Sequence, residues 1–261
     1  MPRRVLTHLR YLHFADAHIT QLVPHGRGNS FQAIVLRHWA AVAAYLHTCF
    51  SHPPTALLNT ERVFSHNYED TARSRIDPTI SWRVHLLVTA RALALREWSR
   101  APESPVFSDG FRAWAESGGT WPLTVSPHLT EAYGRLPGGS RSALWHSVVE
   151  ADPPALTAQV LGIRRQDVGA LTDRARTSLR QTYLKLHHRR AAAVWDEPAG
   201  LRRKEQPDLA DLDGQLRAQL PVILLGWWDG VRYVEARTTT RTPAAPLPFL
   251  RQANGGRITA R

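Results

Sequence analysis

Apolar residues recur at intervals of three and four between Leu136 and His187, in three short runs. These are Leu144, Trp145, Val148 and Val149; then Leu156, Val160 and Leu161; then Val168, Leu171, Ala175, Leu179, Tyr183 and Leu186. Such a period predicts helices. The breaks between runs carry their own signals. Pro137-Gly138-Gly139 is read as ending one helix before Ser140, Asp152-Pro153-Pro154 as an N-cap with helix-compatible prolines, and Leu161-Gly162-Ile163 as the tight turn between paired helices. The expectation is a compact helix-turn-helix ending in a basic helix, which points to nucleic acid.

Upstream, Phe31, Ile34, Val35, Trp39, Val42, Tyr45, Leu46 and Phe50 mark one face of a helix of about five turns from Asn29 to Phe50, stopped by Pro53-Pro54. A shorter helix is expected from about Ala56 to Ser65, with Leu57, Leu58, Val63 and Phe64. A long one follows from about Ile80 to Arg100, with Trp82, Leu86, Leu87, Ala90, Leu93, Ala94 and Trp98. The prolines and glycines of Ser99 to Pro127 read as a tether with a short helix near Phe111 to Ala115. Past a boundary near Ala191 to Pro207, Leu209, Leu212, Leu216, Leu220, Leu224, Trp228 and Val231 predict one or two further helices. From Thr238 onward the composition lacks a core and predicts disorder. The expected layout is all-α: a flexible leader (1–28), two small helical domains (29–100 and 129–190) joined by a linker (101–128), a C-terminal helical segment (191–237) and a disordered basic tail (238–261). No internal repeat is visible.

Charge sharpens this picture at one place. Lys and Arg number 33 against 22 Asp and Glu, for a formal net charge of +11, and eight of the cations fall between Arg164 and Arg190. A basic surplus on a helix-turn-helix suits phosphate. The single cysteine, Cys49, provides no disulfide framework or cysteine-based zinc site, and implies a reducing cytoplasm. Met1 to Arg10 is followed by His13, Asp16 and His18 and not by the apolar core of a signal peptide. The longest apolar run, Leu220 to Trp228, is nine residues, far below the roughly 20 of a membrane span, so a soluble, cytoplasmic protein is expected.

Thirteen histidines invite a catalytic reading. His187-His188 ends a basic helix, where a helix C-terminus and phosphate account for it. His13, His18 and His25 near Asp16 match no ligand spacing, and Asp208, Asp211 and Asp213 suit a solvated helix N-terminus better than a cation. No phosphate-cradling glycine loop, nucleophile elbow or His-Glu-x-x-His occurs. The chain is read as a non-enzyme without cofactor or metal. Adjacent Trp227 and Trp228 cannot both face one core from one helix, so one of them packs on another surface, of this chain or of a partner protein.

At Leu136-Pro137, Leu144-Trp145, Ala158 to Ile163, Val168 and Arg174-Ala175-Arg176 with Leu179, the chain resembles a family. It is the extracytoplasmic-function sigma factors, initiation subunits of bacterial RNA polymerase, and the match is to their C-terminal promoter-binding domain. Asn29 to Phe50 resembles the opening helix of that family's polymerase-binding domain. The resemblance spans Asn29 to Arg190 and implies a sigma region-2-like domain, a region-4-like helix-turn-helix domain, and promoter DNA and core RNA polymerase as partners. It assigns Arg164, Arg165, Gln166, Arg174, Arg176 and Arg180 to DNA, and Asn59, Glu61 and Arg62 to polymerase. The sequence departs from the family's pattern in three places. Glu61 alone remains of the acidic docking pattern, Ala92 stands where the family carries Asn after Trp82, Ala90 and Arg91, and Gly169, Ala170 and Leu171 replace Lys, Ser and Arg donors to base edges. In some actinobacterial relatives a zinc-binding anti-sigma-like module follows; Asp208 to Leu220 fits its helical remnant and a plain amphipathic helix equally. Two functions stay open: a sigma-factor-like transcription regulator, or a degenerate paralogue that binds polymerase, an anti-sigma factor or another regulator without reading promoter sequence.

Overall fold

A computed structural model describes residues 14–78, 81–119, 127–193, 211–225, 230–243, 245 and 247–250. They are mostly helical and contain no strand; one isolated β-bridge joins Phe50 and Phe107. The chain forms two compact units, one from residues 1–121 with 225–261, the other from 122–224.

In the first unit, helix α2 (Phe31–Cys49) runs through the centre, with every residue but Leu36 and His47 buried. A helix buried around nearly its whole circumference must be covered on all sides. Here α1 (Asp16–Leu22), α3 (Pro53–Ala72), α4 (Trp82–Arg100), α5 (Asp109–Glu116) and α11 (Gly230–Thr239) all pack on it. Trp39 stacks on Phe64 at 5.7 Å between ring centroids, and Phe31 meets Trp82 edge-on at the same distance. Helix α3 is twice as long as the apolar pattern predicts. Pro53 and Pro54 open it, and its buried face continues through Thr60, Asn67 and Thr71, whose side chains donate to the carbonyls four residues back.

Three expected segments of this unit differ in the structure. The leader is folded from Asp16, and α1 buries Ile19. The expected tether is part of the core as far as residue 119: Phe107, Phe111 and Trp114 are buried, Phe107 stacks on Phe50 at 5.3 Å, and Ser108 caps α5 by accepting from the Phe111 amide. The tail is ordered where described, since Leu247 and Leu250 are 3% and 2% exposed and Phe249 contacts Tyr68. The 191–237 segment is not one module, for α11 belongs to this unit and α10 (Leu212–Leu225) lies almost wholly in the other. Trp227 and Trp228 lie outside the described residues.

In the second unit, α9 (Arg165–Ala193) is the spine on which α6 (Pro127–Gly134), α7 (Gly138–Leu144) and α8 (Pro154–Leu161) pack. Pro137 caps the start of α7, so Pro137-Gly138-Gly139 begins a helix, and the preceding helix has ended at Gly134. Helix α7 continues into a π-turn, Trp145–Val149, which buries Trp145. Asp152 is not the N-cap of α8. Pro153 takes that place, while the Asp152 carboxylate turns inward and accepts from His146 Nδ1 at 2.9 Å. Gly162 ends α8 in the left-handed region, φ 70°, and the Ile163 amide donates back to the Ala158 carbonyl, so the expected tight turn is present.

Candidate nucleic-acid interface

The α8–Gly162–α9 corner sets the faces of α9. Val168, Thr172, Ala175, Leu179, Tyr183 and Leu186 recur every three or four residues and are buried. Thr172 Oγ1 donates to the Val168 carbonyl and meets Ser147 Oγ at 3.2 Å, which ties α9 to the π-turn. The opposite face is forced into solvent by the same period, and Arg164, Arg165, Gln166, Arg174 and Arg180 are exposed on it or at its entry. Arg164 donates to both oxygens of Asp167, at 2.8 and 3.3 Å, and Arg174 Nε donates to the Ala170 carbonyl. Such exposed pairs are weak and exchange readily with a phosphate.

Arg176 is placed differently from its expected neighbours. Its Nε and Nη2 donate to the two carboxylate oxygens of Asp213 on α10, at 3.2 and 2.9 Å, and Nη1 donates to Asp173 at 3.2 Å. The bonds from Asp213 push its pKa further up. All three nitrogens are engaged within the chain, and Arg176 holds α10. Gly169 and Ala170 are exposed and Leu171 half-buried, so the outer face of α9 between Gln166 and Asp173 presents no side-chain donor.

The expected polymerase contacts are divided. Asn59 is 2% exposed, and its Oδ1 accepts from Arg62 Nη1 at 3.1 Å; it is a buried brace and not a surface contact. Glu61 is half-buried and Arg62 exposed. The apolar pattern missed what lies beside them, Leu57 and Leu58, 41% and 49% exposed. The signal was available: Ala56, Asn59, Thr60 and Val63 already fill the inward stripe of α3, which leaves Leu57 and Leu58 on its far side.

The sequence also gave no warning of a buried ionic cluster at the base of α2. One oxygen of Asp16 accepts from Arg37, and the other meets His38 Nε2 at 2.8 Å. Arg83 Nε donates to His38 Nδ1 at 2.9 Å, which assigns the remaining ring N–H to the bond with Asp16. Burial alone would raise the Asp16 carboxyl, but His38 and Arg37 outweigh it and hold it below its ordinary value. Trp82 Nε1 donates to Thr20 Oγ1 at 2.7 Å and closes this end of the unit. Asp16 thus meets His38 and not the leader histidines: His18 lies edge-on to Phe14, and His13 lies outside the described residues. Among the described residues no cluster of His, Cys, Asp and Glu is arranged to hold a metal ion. Cys49 is buried, and burial pushes its thiol far up. No helix among the described residues is long and apolar enough to cross a membrane.

Comparison of the chain with protein-family models, with curated proteins and with solved structures finds no match.

Proposed function

We propose that this chain is a sigma-factor-like transcription protein whose second unit binds duplex DNA through the backbone phosphates, and whose first unit engages core RNA polymerase by α3. The observation that carries the reading is the α8–Gly162–α9 corner, a helix-turn-helix whose solvent side presents Arg164, Arg165, Arg174 and Arg180. Three or four phosphate contacts correspond to a log–log salt slope of about −2.7 to −3.6, and so to about 40- to 150-fold weaker binding between roughly 50 and 200 mM salt. Fluorescence anisotropy of the full chain on unrelated duplexes tests this. Arg165→Ala, Arg174→Ala and Arg180→Ala should each weaken binding similarly on all sequences and lower the slope by about one. Salt-independent binding, or none, overturns the reading. For polymerase, Leu57→Asp with Leu58→Asp should reduce retention of the full chain on immobilised core enzyme, and unchanged retention removes α3 from the interface.

A second reading has an observation of its own. Gly169 and Ala170 stand exposed on the recognition face without donors, and each missing bidentate base contact forfeits about 1 to 3 kcal/mol of discrimination. This favours a protein that holds DNA without choosing its sequence and takes its specificity from polymerase or another regulator. Binding selection on genomic fragments with the protein alone should then yield no sharp motif. Recovery of a promoter-like motif favours ordinary sigma-type readout.

A further inference from the structure

Asp213 meets Arg176 as a phosphate would. Two guanidinium nitrogens face two carboxylate oxygens, at 3.2 and 2.9 Å, the fork geometry by which arginine also takes a phosphate group. The rest of α10 is built to deliver that carboxylate. Asp211 caps the helix by accepting from the Gly214 amide at 3.0 Å, and a Cβ at Gly214 would lie 2.1 Å from the Asp211 carboxylate. Leu212, Leu216 and Leu220, spaced four apart, are buried, and Arg217 Nε donates to the Val148 carbonyl in the π-turn at 2.9 Å. One side of α10 is therefore fastened to the hydrophobic part of the helix-turn-helix unit, while its first turn reaches the basic helix.

We infer that α10 is an acidic strap that competes with DNA phosphate for Arg176 and holds the second unit in a weaker-binding state. The inference rests on the proposed DNA-binding reading. Side-chain exposures of 40% for Arg176 and 33% for Asp213 decide how the competition runs. A pair open to solvent to this extent is worth little, so phosphate can displace it, and the strap lowers affinity without abolishing it.

The test is an anisotropy salt series on the full chain with a random-sequence duplex. Asp213→Asn should bind about two- to fivefold more tightly than the parent chain. Its salt slope should steepen by about one phosphate equivalent. Arg176→Ala added to Asp213→Asn should cancel the gain. Glu131→Gln, which removes one exposed negative charge from α6, controls for net charge, and a gain of equal size there overturns the inference. Leu216→Ala, which loosens the strap without changing charge, should move affinity the same way and keeps the test open if Asp213→Asn folds poorly. If Asp213→Asn and Leu216→Ala both bind as the parent does while Arg165→Ala and Arg174→Ala weaken binding, the strap is wrong and the DNA-binding reading stands. If the parent and the Asp213→Asn chain both fail to bind at low salt, the reading falls and the strap with it.

Discussion

Asp16 keeps its charge away from water because Arg37 and His38 meet its two oxygens. Its carboxyl is held below the ordinary value, so the folded form binds the proton less readily than the unfolded chain does. The stabilisation from ionised Asp16 is present in full above about pH 5 and is lost as the pH falls through the folded value. Urea unfolding of the first unit should show its midpoint dropping through that acid range. Asp16→Asn should cost about 3 to 5 kcal/mol at neutral pH by leaving Arg37 buried without its counter-charge. The same variant should flatten the acid dependence, and an undiminished pH slope would reject the assignment. Trp39 and Trp145, 2% and 3% exposed, carry packing of the ordinary kind, and either truncated to Ala should cost about 3 to 5 kcal/mol. Both indoles were legible as anchors because each sits among apolar residues at helical spacing. The Asp16 cluster was not, since Asp16, His38 and Arg83 are brought together only by the packing of three helices and leave no local pattern.

At the scale of elements, periodicity was a good guide wherever the buried face is apolar and a poor one wherever it is polar. The inward positions of α9 follow the expected run from Val168 to Leu186 except that Thr172 is buried in place of the half-buried Leu171, and Gly162 turns as its sequence suggests. Helix α3 outruns its expectation because Thr60, Asn67 and Thr71 are buried by bonding to their own helix, a satisfaction that hydrophobicity does not register. Helix α5 was expected near Phe111 to Ala115 and is present as Asp109–Glu116, but the prolines and glycines around it read as a tether although Phe107, Phe111 and Trp114 already stood four and three residues apart. The cations expected on α9 stand exposed on its outer face or at its entry, except Arg176, which is half-buried against a partner 37 residues away. One consequence for α9 can be measured. Gly169 lies exposed inside this helix, and a Cβ there meets nothing within 4 Å. Gly169→Ala should therefore stabilise the second unit by about 0.5 to 1 kcal/mol in chemical denaturation, with DNA affinity unchanged. Destabilisation would mean that the outer face of α9 is covered.

The molecule as a whole uses its sequence order in a way that no local pattern discloses, because the first unit is closed by residues from beyond the second. Helix α11 packs on α2, and its Tyr233 is wholly buried; Leu247 and Leu250, beyond the helix, are almost wholly buried as well. Helix α2 is buried on nearly every side, so removal of α11 would expose part of it to water. A chain ended after Leu225 keeps the second unit complete and takes this cover from the first. Its two units should then respond differently: the first should lose cooperative unfolding or melt at much lower urea, while protease resistance across 127–224 stays that of the full chain. Tyr233→Ala is the milder form of the same change and should cost about 3 to 5 kcal/mol, read on the first unit alone. If the shortened chain unfolds at the midpoint and with the slope of the full one, α11 contributes nothing to the first unit, and 14–119 would fold without its distant cover.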